Sequence, residues 1–239
     1  MIDILVLAAG ASSLGREDGG YPSCLTEIDN IPLIEHLIRR FQPLAPRRII
    51  FALRDDDIRQ FGLDETVHML VPDARILRVR EGNGGAACTA LLACDHVDPA
   101  AELLVLNVNE LIDAPFDEIL GAFRAAGHAA GVVTFPSVHP RYSYVRLDEA
   151  GLVIEAAEKR AISRHATAGF YWFARAADFF AAAQRMIRKG AGHNGLFYVC
   201  PSLNELVLEG KQIGAYAIPL ALYHPLKSER QLQSLIGGE

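Results

Sequence analysis

Through the first half of the chain, short apolar runs alternate with stretches of helical periodicity, the pattern of parallel strands joined by helical crossovers. Runs at Ile2 to Leu7, Arg48 to Leu53, Arg75 to Val79, Leu103 to Asn107 and Gly131 to Phe135 predict strands. Pro32 to Phe41 places Leu33, Leu37 and Phe41 on one helical face, with Pro32 suited to the first turn. Gly85 to Cys94 and Pro115 to Ala125 predict two further helices, so this half reads as a doubly wound sheet. The run Asp55-Asp56-Asp57 reads as a solvated helix start, where acids favour the N-terminal dipole.

Beyond Pro136 the pattern changes. "SYVRLDEAGLVIEAAEK" carries two β-like runs around Asp148-Glu149-Ala150-Gly151, a hairpin signal, and "TAGFYWF" predicts another strand. This zone reads as a β-rich region appended to the parallel sheet. "RAADFFAAAQRMIRKG" is an amphipathic helix closed by Gly190, with Arg188 and Lys189 at its C-terminal dipole. "CPSLNELVLEG" then predicts a helix and "IGAYAI" a strand. With no repeat, low-complexity segment or linker, one domain is expected over residues 1–239.

A hydrophobic fraction of 51% supports a substantial core, and the net charge of -6 provides no basic field for gripping nucleic acid. Cys24, Cys88, Cys94 and Cys200 form no C-x-x-C pair and read as reduced thiols of a cytoplasmic protein, Cys88 and Cys94 sharing a helix. The opening "MIDILVLAAGASS" has Asp3 where a signal peptide needs a basic residue, and no apolar run is long enough to span a membrane. His139, His165, His193 and His224 lack metal-ligand spacing.

The segments "LAAG", "YPSCLTEIDNIPLIEHLIRRF", "GGAACTALLA", "LLVLNVNELID", "SYVRLDEAGLVIEAAEKRAIS", "TAGFYWF" and "NGLFYVCPSLNELVLEGK" occur in the order found in the sugar-phosphate nucleotidylyltransferases. The chain resembles that family over nearly its whole length, and within it the capsule and surface-polysaccharide branch. The resemblance implies a GT-A-like, Rossmann-type α/β fold with a mixed, mainly parallel sheet. Residues 1–135 would form its nucleotide-binding half and residues 136–239 its sugar-binding half. The implied chemistry joins an NTP to a sugar phosphate and releases pyrophosphate, with Mg²⁺.

Mapped onto this chain, the resemblance makes Ala8, Ala9, Gly10, Ala11, Ser12 and Ser13 a loop whose small residues let backbone N–H groups wrap phosphates. The family's L-A-A-G-x-G-x-R reads Ser12 at its second Gly and Leu14 at its Arg; Arg16, two residues later, is the candidate substitute. The Pro-Lys that follows is Pro22-Ser23, and a serine cannot supply an ammonium's charge. The Asp expected to bind Mg²⁺ is Asn109, a far weaker ligand, with Glu110 and Asp113 as candidate replacements. The second metal-side acid is also missing, Tyr223 and His224 lying around the expected turn.

The acceptor side matches better. Glu158-Lys159 fits the family pair that receives sugar hydroxyls and the sugar phosphate. Gly169 would allow close backbone approach, Tyr171 would stack or pack, and Gly85 is either a nucleotide contact or a helix-entry glycine. Asn194 and Asn204 are further candidates. Three readings follow: a nucleotide- or sugar-phosphate-binding protein with impaired catalysis, an active enzyme using displaced groups, or a regulatory partner. Partners are expected to be small molecules rather than nucleic acid or membrane. The sequence leaves open a homo-oligomer in which a neighbouring chain lends charges.

Overall fold

A computed structural model describes residues 1–10 and 21–226. Strand β1 (Ile2–Ala8) opens the chain, and a small hairpin of β2 (Glu27–Ile28) and β3 (Ile31–Pro32) leads into α1 (Leu33–Phe41). There follow β4 (Arg48–Arg54), α2 (Asp55–Phe61), α3 (Leu63–Leu70), β5 (Arg75–Val79), α4 (Ala86–Leu91) and β6 (Glu102–Asn107). Next come β7 (Glu110–Ile112), α5 (Phe116–Ala125), β8 (Ala130–Pro136), β9 (Ser143–Leu147) and β10 (Val153–Glu158). The last described elements are β11 (His165–Phe173), α6 (Ala176–Arg188), α7 (Leu203–Leu208), β12 (Ile213–Ala217) and β13 (Tyr223–Pro225).

Nine strands form one sheet, in which β6, β1, β4 and β5 are parallel neighbours and β12 lies parallel to β8. Only β10 and β11 run against the rest, so the core sheet is mixed and mainly parallel, as expected. The expectation of an appended β-rich region holds for β9 and β10, which form one edge of the sheet, and needs correction for β11 alone. Strand β11 lies inside the sheet, paired along one edge with β8 and along the other with β6 and then β9. Its residues Ala166 to Phe173 are all buried, the mark of a strand covered on both faces.

One edge of β11 thus serves two partners. Phe170 to Phe173 pair with β6, His165 and Ala166 pair with β9, and between them the sheet forks. Gly169 lies at the fork with φ +66°, and the pairing with β8 is interrupted over the same residues.

Two apolar layers clamp the sheet. One packs α1 and α5 through Leu33, Leu37, Phe41, Ile119 and Phe123; the other packs α6 and α7 through Phe179, Ala183, Leu203 and Leu206. Asp3, fully buried in β1, is held by the Arg47 guanidinium at 2.6 and 2.9 Å. Two further expectations change. The helix predicted to Cys94 ends at Leu91, leaving Cys94 exposed in a separate turn, whereas Cys88 stays on α4. The acidic run does open α2, but Asp57 is buried rather than solvated. No described helix is long and apolar enough to cross a membrane.

Candidate functional site

The carboxyl ends of β1, β4, β5 and β6 face the fork between β6 and β9, and a cavity of about 590 Å³ lies there. Such a position follows from topology, since strands diverging at one edge leave a crevice beyond their ends. Ala8, Ala9, Gly10, Ser23, Gly85, Asn109, Glu110, Glu158, Lys159 and Tyr171 all border it. Residues far apart in the chain therefore converge. Arg16, Ala11, Ser12 and Ser13 lie outside the described residues, as does Leu14.

Ser23 begins a short helical turn after Pro22 and presents only its hydroxyl and backbone to the cavity's charge balance. Glu110 is buried, its two oxygens accepting hydrogen bonds from the Tyr223 hydroxyl at 2.9 Å and the Asn107 amide at 3.1 Å. Burial, and next the nearby Glu110 charge, pushes the Tyr223 phenol well above its ordinary range and keeps it a donor. Gly169 lies behind this carboxylate: a Cβ there would come within 1.7 Å of Glu110 Oε2. Its glycine is thus required by packing against Glu110 as well as by backbone conformation.

Asp113 is placed elsewhere. It forms an ion pair with Arg40 and accepts from His224 Nε2 at 3.0 Å, bordering a separate hollow beside α5. Among the described residues no three His, Cys, Asp or Glu side chains come together to hold a metal. Asn109 offers a neutral amide, and the Glu110 oxygens already accept from two neutral donors. Mg²⁺ takes one or two carboxylates and completes its octahedron with water and substrate phosphates, and of the two candidate acids only Glu110 borders the cavity.

On the opposite wall, Ser143 donates to the Glu158 carboxylate. Lys159, with φ +50°, directs its ammonium toward the Tyr198 hydroxyl at 3.3 Å and over that ring. Tyr171 is buried in the wall, its hydroxyl 2.8 Å from Thr167 Oγ1, and burial raises its phenol well above the usual range. Burial likewise raises the Cys200 thiol, which donates to the Tyr144 carbonyl. Asn204 stands outside the cavity and pairs with both backbone groups of Ala156, serving as an extra rung on β10.

Three arginines outside any motif also line the cavity: Arg54 and Arg80 on one wall and Arg141 on the other. Arg54 ends β4, Arg80 follows β5 and Arg141 precedes β9, so the available signal was position at a strand end rather than any motif. A clasp joins the two walls. The Phe197 N–H donates to the Gly84 carbonyl at 2.8 Å, and the Phe197 carbonyl accepts from Ala87 at 2.9 Å. A Cβ on Gly85 would meet that carbonyl at 2.5 Å, so close backbone approach requires glycine here.

A profile described as the MobA-like NTP transferase domain matches residues 4–168. Among curated proteins, the bifunctional protein GlmU of Anaplasma marginale (strain Florida) is 26% identical over 169 residues, 70% of this chain and 39% of that protein. The alignment thus spans well under half of the relative. A nucleoside-diphosphate-sugar pyrophosphorylase from Vibrio cholerae RC9 superimposes with a TM-score of 0.80 at 21% identity, covering 99% of this chain and 100% of that one. A UDP-glucose pyrophosphorylase complexed with UDP-glucose gives 0.79 at 16% identity, covering 99% and 98%. At these identities the two structures establish the shared fold.

Proposed function

Because the chain belongs to the MobA-like NTP transferase domain family, we propose that it holds a nucleotide, sugar phosphate or sugar nucleotide in this cavity, with catalysis impaired or lost. In this reading the protein serves sugar-nucleotide metabolism on the surface-polysaccharide branch. Residues 1–135 hold the nucleotide and residues 136–239 the sugar, within one domain. The two structural relatives named as sugar-nucleotide pyrophosphorylases support the substrate class.

The observation that carries the proposal is the neutrality of Ser23 and Asn109, both on the cavity wall, beside a retained Glu158-Lys159 pair. Phosphoryl transfer works chiefly by positioning and by neutralising charge around the moving phosphate. Losing one such group commonly lowers rate by roughly two to three orders of magnitude, and such losses act as a unit rather than adding. Incubation of the purified protein with each NTP, a set of hexose 1-phosphates and Mg²⁺ should release pyrophosphate only at background rate. Robust Mg²⁺-dependent release would overturn the reading.

One observation favours an active enzyme instead: the Glu110 carboxylate borders the cavity one residue beyond Asn109. That alternative requires turnover in the wild type and its loss in Glu110→Gln.

A further inference from the structure

We propose that Arg54 and Arg80 bind the phosphates of the cavity's ligand and supply the positive charge missing at Leu14 and Ser23. The inference rests on the binding role proposed above and adds which residues carry the charge. Sheet register places them. Leu53 is the partner of Ala8 and Arg54 the partner of Val79, so Arg54 and Arg80 continue the row of strand ends that contains Ala9 and Gly10. Both side chains border the cavity on that side, across from Arg141 and Lys159.

The state of each guanidinium supports the assignment. The Arg54 side chain is 11% exposed, yet among the described residues the carboxylates it pairs with, Asp56 and Glu81, stand at 3.6 and 3.7 Å, beyond a normal hydrogen bond. Those acids are 58% and 80% exposed, so water screens both pairs and a phosphate can compete with them. Arg80 has neither ion pair nor hydrogen bond among the described residues. For Arg54, a nearly covered guanidinium with no tight partner among the described residues is costly, and for either arginine a phosphate matches the planar fork with two parallel bonds. Gly82 and Gly84 follow Arg80 with φ of +77° and +87° and carry no side chain toward the cavity, while Asn83 between them spends its amide on the Thr89 hydroxyl and the Gly85 N–H.

Isothermal titration with inorganic tripolyphosphate in EDTA tests this directly, with glucose 1-phosphate as a probe of the opposite wall. The wild type should bind tripolyphosphate without metal. Arg80→Ala, a change at an exposed position, should weaken that binding about tenfold or more and leave glucose 1-phosphate affinity within about twofold. Arg54→Lys keeps the charge but not the fork and should weaken tripolyphosphate severalfold at unchanged melting temperature. Wild-type affinity in both variants overturns the assignment while leaving the binding role intact. Failure of the wild type to bind either probe overturns both. Binding abolished by EDTA and restored by Mg²⁺ equally in wild type and Arg80→Ala overturns the assignment alone.

Discussion

Glu110 and Gly169 depend on one another. Gly169→Ala imposes a left-handed conformation on an L side chain and drives its Cβ into the Glu110 carboxylate. It should destabilise the protein by about 3 kcal/mol or more, read from urea unfolding midpoints. Tyr223→Phe removes a donor to a buried carboxylate and should cost roughly 1–3 kcal/mol. The same variant predicts a pH effect. The Tyr223 phenol is held above its ordinary value of 10.0, so the folded state keeps that proton more tightly than the unfolded chain. Its contribution is whole below about pH 10 and is lost as pH rises from there toward the raised folded value. Stability measured from pH 9 upward should therefore fall less steeply in Tyr223→Phe. Tyr171, shifted the same way, leaves a residual slope. At this scale Asn109 and Ser23 stood out in the sequence because motif neighbours framed them, whereas Arg54 and Arg80 sit in no motif and acquire meaning only from register. The pairing of Tyr223 with Glu110 spans 113 positions and has no local signature.

Elements with strong periodicity were legible, and those whose identity depends on tertiary placement were not. The strand at Arg75–Val79 has the predicted bounds, and α1 buries Leu33, Leu37 and Phe41 as its spacing requires. Two helices follow β4 where the sequence marked only an acidic start, because Gly62, in the left-handed region at φ +61°, ends α2 and begins α3. β11 was recognised as a strand but assigned to the periphery. Its order in the chain resembles an appendage, and only its unbroken burial reveals a central place. The Phe197 clasp is a further element-level device, since it fixes the entry of α4 against the opposite wall. Gly85→Ala should open it, costing about 1–3 kcal/mol by denaturation and, on the proposed function, weakening sugar-nucleotide binding along with stability.

Across the whole molecule, both halves contribute strands to one sheet, with α1 and α5 of the first packed in one apolar layer and α6 and α7 of the second in the other, so they should unfold together. Trp172, the chain's single tryptophan, is 2% exposed on β11 and donates to Glu102, which makes it a reporter at the junction of the halves. Its fluorescence and the far-UV circular dichroism should follow one transition in urea; two separated transitions would mean that the halves fold independently. The fork at Gly169 also bears on how the molecule meets a ligand. Strands β6 and β9, one in each wall of the cavity, pair along the same edge of β11, and bringing them together means twisting β11 inside a close-packed interior. Like the jaws of a casting rather than of a hinge, β6 and β9 keep the gap that their shared partner sets before anything enters.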